Sequence, residues 1–203
     1  DGKTRAFIRG KNLEKLGLKA QDTSELFFED MRVPASAMLG EEGKGFELMM
    51  TKLAQERLAQ AIRSATVAEH LVNITVEYTA GRRAFGKTIG AMQNTQFKLA
   101  ELHTEAVIGR VFTDQCIKKF MDGELNEIDA AVAKMWLSNL HCKVADECLH
   151  LFGGWGYMWE YPIARAYADA RIVKIAGGSI EVMKHIIGRD LFRNAGPRAG
   201  EAK

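Results

Sequence analysis

Glu56 lies in the segment LAQERL, directly before Arg57. It falls in line with Met49, two turns back, and so sits at the edge of the apolar stripe, where a carboxylate can work as an acid or base. On a helix it can equally be a surface acid paired with Lys52, four residues earlier. The pattern alone favours the surface pair, because Glu is rarely buried. A second candidate is RRAFGKTIGAMQ, residues 82–93, with Arg82, Phe85 and Gln93. Its arginines could clamp a phosphate, whose geometry guanidinium matches, or could be solvated residues of a helix–loop–helix connection. The cluster GGWG at Gly153, Gly154, Trp155 and Gly156 lacks the Lys-Ser or Lys-Thr of a P-loop and follows a helical pattern, not a strand. A helix C-cap with a tight turn is its plainer reading. HCKVADECLH invites a metal, yet His141 and Cys148 stand about 10 Å apart on one helix face and Cys142 points elsewhere, so no metal site is expected. Finally, Gly177 and Gly178 precede Ser179, an N-cap residue type, in KIAGGSIEVM. Such a helix start suits an electron-rich group, but no acid, base or nucleophile stands at the turn itself.

These residues must be positioned by elements that the rest of the pattern specifies. The chain of 203 residues is 47% hydrophobic and 27% charged, an ordinary globular composition. Its net charge of +2 gives no reason to expect nucleic acid or an acidic membrane surface as partner. Three cysteines make no disulfide framework and fit a reducing compartment. No apolar run approaches the ~20 residues that span a bilayer. Within residues 1–38, TRAFIRG and SELFFEDMRVP are short, partly aromatic or β-branched runs, and KLGLKAQDTSELFF reads as two strands with a turn at Gln21-Asp22. One or two hairpins cannot bury a core alone. Residues 1–38 are therefore expected to be the tail of a truncated β domain, and the Asp1-Gly2 start without Met fits a missing natural N-terminus.

From Phe46 the apolar spacing becomes helical and predicts one helix to Gly81, roughly 50 Å long. Further helices are expected over 94–121, 127–152 and 179–192. Residues 39–203 thus predict a mostly α, antiparallel four-helix bundle, with RNAGPRAGEAK as a frayed tail.

RRAFGKTIGAMQNTQFKLAEL, HLFGGWGYMWEYPIARAYADARI and GGSIEVMKHIIGRDL, taken in this order, resemble the C-terminal half of the acyl-CoA dehydrogenase family. LEKLGLKAQDTSELFFEDMRVPASAMLGEEGKGF is similar to the end of that family's middle β domain and its junction with the bundle. The likeness is greatest to the long-chain type, in GGWGYMWEYPIA above all. It implies an FAD-dependent oxidoreductase that desaturates an acyl-CoA thioester to a trans-2-enoyl-CoA in fatty-acid or branched-chain catabolism. It also implies an electron-transfer flavoprotein as electron acceptor, and a homo-oligomer, dimer or tetramer, sharing FAD between subunits. The compartment would be the cytoplasm in bacteria and the mitochondrial matrix in eukaryotes. An acyl-CoA oxidase, another flavoenzyme of the superfamily, or a non-catalytic four-helix module are the alternatives. The isolated chain is expected to be inactive.

Residue by residue, the resemblance places FAD contacts on Arg82, Phe85, Gln93, His150, Gly153, Gly154, Ser179 and Glu181, with Arg57 and Gly177 on the substrate side. His150 stands where relatives usually carry Gln, and Ala176 where a Tyr is common. In most relatives the catalytic carboxylate occupies the position of Gly177. The long-chain and isovaleryl branches carry a small residue there and place the base on the first bundle helix, which here gives Glu56. A carboxylate buried against apolar walls would be a stronger base, and a small Gly177 would leave room for the acyl chain.

Overall fold

The computed structural model describes residues 6–193, which divide between Lys52 and Leu53 into two compact units. The tail after Arg193, expected to fray, lies outside them. In the first unit β1 (Phe7–Asn12) pairs antiparallel with β2 (Ser24–Phe28), Phe7 opposite Phe28 and Arg9 opposite Leu26, with an irregularity before Asn12. The expected strand over Lys15–Ala20 does not form. Leu18 adopts φ +49°, the Gln21 amide closes a turn on the Leu18 carbonyl, and Asn12 Oδ1 accepts from the Thr23 amide. These local bonds give the segment a turn's conformation instead of a ladder. No described residue of this unit is buried: Leu26, Phe27 and Phe28 are all about half exposed or more. It ends in the short helix α1 (Gly45–Met50).

The long helix predicted from Phe46 to Gly81 is interrupted. At Thr51 the side-chain hydroxyl bonds the Leu48 carbonyl, and the Lys52 amide reaches back only to Met49. A β-branched hydroxyl residue competing for the helix carbonyls is the physical reason that the pattern could not show. The second unit opens with α2 (Leu53–Gly81) and continues with β3 (Arg83–Ala84), β4 (Lys87–Thr88), α3 (Gln93–Met121), α4 (Glu127–Leu151), α5 (Pro162–Ala170) and α6 (Ile180–Arg193). Short connections make successive long helices antiparallel, and α2, α3, α4 and α6 are the bundle that the periodicity predicts.

α4 is the central element, packed against α2, α3, α5 and α6. Its start is set by Asn126, whose Oδ1 accepts from the Asp129 amide, a cap that satisfies one helix-end donor. Its inner face reads Ala130, Ala133, Leu137, Val144, Ala145 and Cys148, all fully buried. α2 answers with Ala61, Ala65, Ala68 and Leu71. Alanine on both sides lets the backbones approach, and each buried Leu or Val contributes about 1.5–3 kcal/mol. Gly109 does the same for α3, since a Cβ there would stand 3.0 Å from Leu137 and Trp136. Met183 and Ile186 of α6 complete the core against Ala131.

Candidate functional site

Two clusters of the second unit gather the residues singled out from sequence. The first surrounds the loop between α2 and α3. β3 and β4 form a minimal hairpin, Arg83 opposite Thr88, whose two tip residues are Phe85 and Gly86 at φ +51° and +81°. Two positive-φ residues make the turn type that matches strand twist, usually filled by Asn-Gly. A Phe held there is strained, and its ring is 96% exposed. The helix–loop–helix expectation is thereby refined to a hairpin that projects an aromatic ring.

Facing it, α4 ends at Phe152 and Gly153 takes φ +59°, the left-handed residue that closes a helix, before a 3-10 turn over Gly153–Tyr157. Between them runs a groove of about 730 Å³, lined by Arg82, Phe85, His150, Gly153, Gly154 and Trp155, among others. Five of the eight residues expected at the flavin thus come together. Gln93 opens α3 between Met92 and Asn94, which both line the groove, but is not itself a lining residue. Tyr78, stacked on Phe152 at 4.0 Å between ring centroids, and Tyr161, edge-on to both, brace the groove's base. The Arg82 guanidinium makes no hydrogen bond or ion pair among the described residues. Added Cβ atoms at Gly153 and Gly154 would meet nothing within 4 Å, so this backbone is open to a ligand.

The second cluster surrounds the glycine turn. Gly177 and Gly178 take φ +65° and +95°, angles that L side chains rarely adopt. Ser179 follows, its Oγ accepting from the Val182 amide at 3.4 Å, and α6 begins. Glu181 lies in the first turn of α6, where hydrogen bonds from its own amide and from Ser179 hold its carboxyl below the usual range. Ser179 and Glu181 belong to this turn and do not line the groove of the first cluster. The room expected above Gly177 is filled: a Cβ there would stand 2.9 Å from Gln60 Cδ and nearer still to its Nε2. Lys134 of α4, fully buried, donates its ammonium to the Gly178 carbonyl. Burial first, and the nearby Arg57 second, push the Lys134 amine below its ordinary pKa, while Glu181 opposes them.

Glu56 and Arg57 stand in the first turn of α2. Arg57 is 4% exposed and reaches Glu127 Oε1 at 3.3 Å, while its Nε has no partner. Glu56 is exposed and makes no hydrogen bond or ion pair among the described residues, so the expected burial of the base is not met in this chain. One helical turn on, Gln60 shares the face of Glu56 and reaches the glycine turn, its Oε1 buried without a partner. Gln60 and Lys134 escaped the sequence reading. Lys134 was findable, as a lone cation within the apolar stripe AAVAKMWL.

The metal-like residues hold other places. His141 is buried and kept neutral, its pKa driven down to about 4 chiefly by burial. Burial likewise pushes the Cys148 thiol up to about 11. Among the described residues no group of three His, Cys, Asp or Glu could hold a metal ion, and no helix is long and apolar enough to cross a membrane.

Together these features define a long-helix bundle with a ligand-sized groove at one flank and a clamped glycine turn beside an unpaired acid. The chain belongs to the acyl-CoA dehydrogenase family: residues 43–192 match its "Acyl-CoA dehydrogenase, C-terminal domain" model. Among curated relatives, the mitochondrial long-chain specific acyl-CoA dehydrogenase of Sus scrofa is 50% identical over 190 residues, covering 94% of this chain and 44% of the relative. Among solved structures, an acyl-CoA dehydrogenase from Geobacillus kaustophilus superposes with a TM-score of 0.89 at 48% identity, over 94% of this chain and 50% of that one. An acyl-CoA dehydrogenase from Bacillus anthracis, complexed with FAD, gives 0.88 at 26% identity, over 94% and 36%. The chain thus spans about half the length, or less, of the relatives it matches.

Proposed function

We propose that this chain is the helical part of an FAD-dependent acyl-CoA dehydrogenase in which Glu56 is the base. The observation that carries the reading is the pairing of two facts on one α2 face. The glycine turn offers no carboxylate and its open side is filled by Gln60. One turn of helix away stands an acid with no partner of its own among the described residues. Arg57 is assigned to a polar part of the substrate, and its buried Nε, without a partner among the described residues, supports that assignment.

The groove of the first cluster fits the cofactor's phosphate and adenosine side. Arg82 supplies a free guanidinium, Phe85 an exposed ring, and Gly153 and Gly154 an open backbone. Gln93, Ser179 and Glu181 are assigned to the same cofactor, Ser179 and Glu181 at the α6 start and reached in the assembled protein by subunits that share it. When bound, FAD supplies the acceptor for the hydride that leaves the acyl Cβ. Glu56 takes the Cα proton, and the double bond forms between Cα and Cβ. Substrate and the remainder of the enzyme must cover Glu56 to exclude water from that step. A long-chain thioester as substrate, an electron-transfer flavoprotein as acceptor and a dimer or tetramer complete the reading. Matrix or bacterial cytoplasm follows from the host.

The test uses the natural polypeptide that carries this sequence, with Glu56→Gln, mixed anaerobically with a long-chain acyl-CoA. Flavin reduction is expected to slow by about 10²–10⁴-fold while acyl-CoA binding persists. Reduction at the wild-type rate removes Glu56 from the mechanism. A wild-type protein that holds no flavin replaces the enzyme reading with that of a non-catalytic bundle, and rapid reoxidation by oxygen would make it an oxidase.

A further inference from the structure

Lys134 is the largest fully buried side chain in the described molecule, and neither the fold nor the proposed proton transfer calls for it. Its neighbours along α4, Ala130, Ala131, Ala133 and Leu137, are those of a helix core. A cation in such a stripe is disfavoured by desolvation unless its donors find work. Among the described residues its ammonium has one such bond, to the carbonyl of Gly178. Among the described residues no carboxylate forms an ion pair with it, and Glu181 acts on it only through space.

The partner it has chosen is the least self-supporting backbone near the site. Gly177 and Gly178 both take positive φ, and neither has a side chain to anchor the turn. Gln60 covers the turn from α2, and Met183 stands where a Gly178 Cβ would point, within 2.8 Å. Contact without a directed bond leaves the carbonyl orientation open. Lys134 supplies that bond from α4, the helix that packs against α2, α3, α5 and α6. The residues immediately downstream are Ser179 and Glu181, whose placement depends on where α6 begins.

We propose that Lys134 is a positioning residue that pins the Gly177–Gly178 turn to α4 and thereby sets the α6 start for the cofactor. The proposal rests on the flavin reading above for its consequence, but the pinning itself does not. Lys134 touches neither substrate nor flavin on this account; it acts through the Gly178 carbonyl.

The experiment compares the natural polypeptide with its Lys134→Met form, which keeps length and loses the donor. Hydrogen exchange at the amides of Val182 and Met183 reads the pinning directly. These amides bond to Ser179 in the first turn of α6, and faster exchange is expected in the variant, with the rest of α6 unchanged. Stripped protein titrated with FAD reads the consequence: its dissociation constant is expected to rise about 10-fold or more, as for a lost charged hydrogen bond. The gain in melting temperature on adding FAD should shrink in proportion. A residue that only fills the core would lower the melting temperature of both forms equally and leave that gain intact, which overturns the proposal. Unchanged exchange at Val182 and Met183 overturns it too. Should Lys134→Met not fold, Lys134→Leu, which likewise lacks a donor, takes its place, and failure of both to fold marks a core role and sinks the positioning role. A wild type without flavin removes the flavin reading, while the exchange result still decides the pinning.

Discussion

Arg57 and Glu127 show how little of an ion pair's energetics lies in its distance. The guanidinium is almost fully buried and the carboxylate about half exposed, so the two partners do not stand to lose equally. Removing the acid strands a buried cation, whereas removing the cation releases an acid that water already solvates. Glu127→Gln is therefore expected to destabilise the bundle by about 1 kcal/mol, a figure held low by the exposure of the acid. Arg57→Met should cost less or nothing. Chemical denaturation of both variants decides the order, and the reverse order would show that Glu127 is not the compensating charge. Phe85 raises the opposite kind of question at the same scale. An exposed ring at positive φ is held against its own preference, and the groove it borders gives that placement a use.

At the scale of the element, α4 carries a titration built into the core. His141 is buried, its Nδ1 has no partner, and burial with the nearby Arg63 lowers its pKa from 6.5 to about 4 against the pull of Asp169. In the unfolded chain it protonates first, as pH falls below about 6.5. Stability from the neutral residue is thus complete above that pH and declines toward pH 4, by about 3 kcal/mol in all. Melting curves of wild type and His141→Gln between pH 7 and pH 4.5 test the sign: the variant should lose less on acidification. Equal losses would place the acid sensitivity in other groups. The same element shows what a pattern can tell. Its extent and its glycine stop were legible before the fold. The protonation state of His141 and the partner of Lys134 were not, because both depend on residues from α2, α5 and the glycine turn.

At the scale of the whole molecule, the bundle was legible because 3.6-residue periodicity is a local property repeated over long segments. The break at Thr51 and the turn at Leu18 were not, since each rests on one side chain or one dihedral overriding a permissive pattern. The candidate site divides along the same line. Arg82, Phe85, His150, Gly153 and Gly154, named from motif order, line one groove. Gln60, distant in sequence from Gly177 and unremarkable in type, became visible only when α2 and the glycine turn were brought side by side.

That contact also has an evolutionary meaning. If Glu56 is the base as proposed, moving that role from α2 to the turn would require a carboxylate at Gly177, where backbone angle and the Gln60 amide both oppose a side chain. The two positions are therefore epistatic: Gly177→Glu should fail to restore flavin reduction to a Glu56→Gln protein unless Gln60→Gly accompanies it. Rescue by Gly177→Glu alone would show that the turn yields. If it does not, each arrangement of the acid sits in its own valley, and a lineage crosses between them only by way of a small residue on α2.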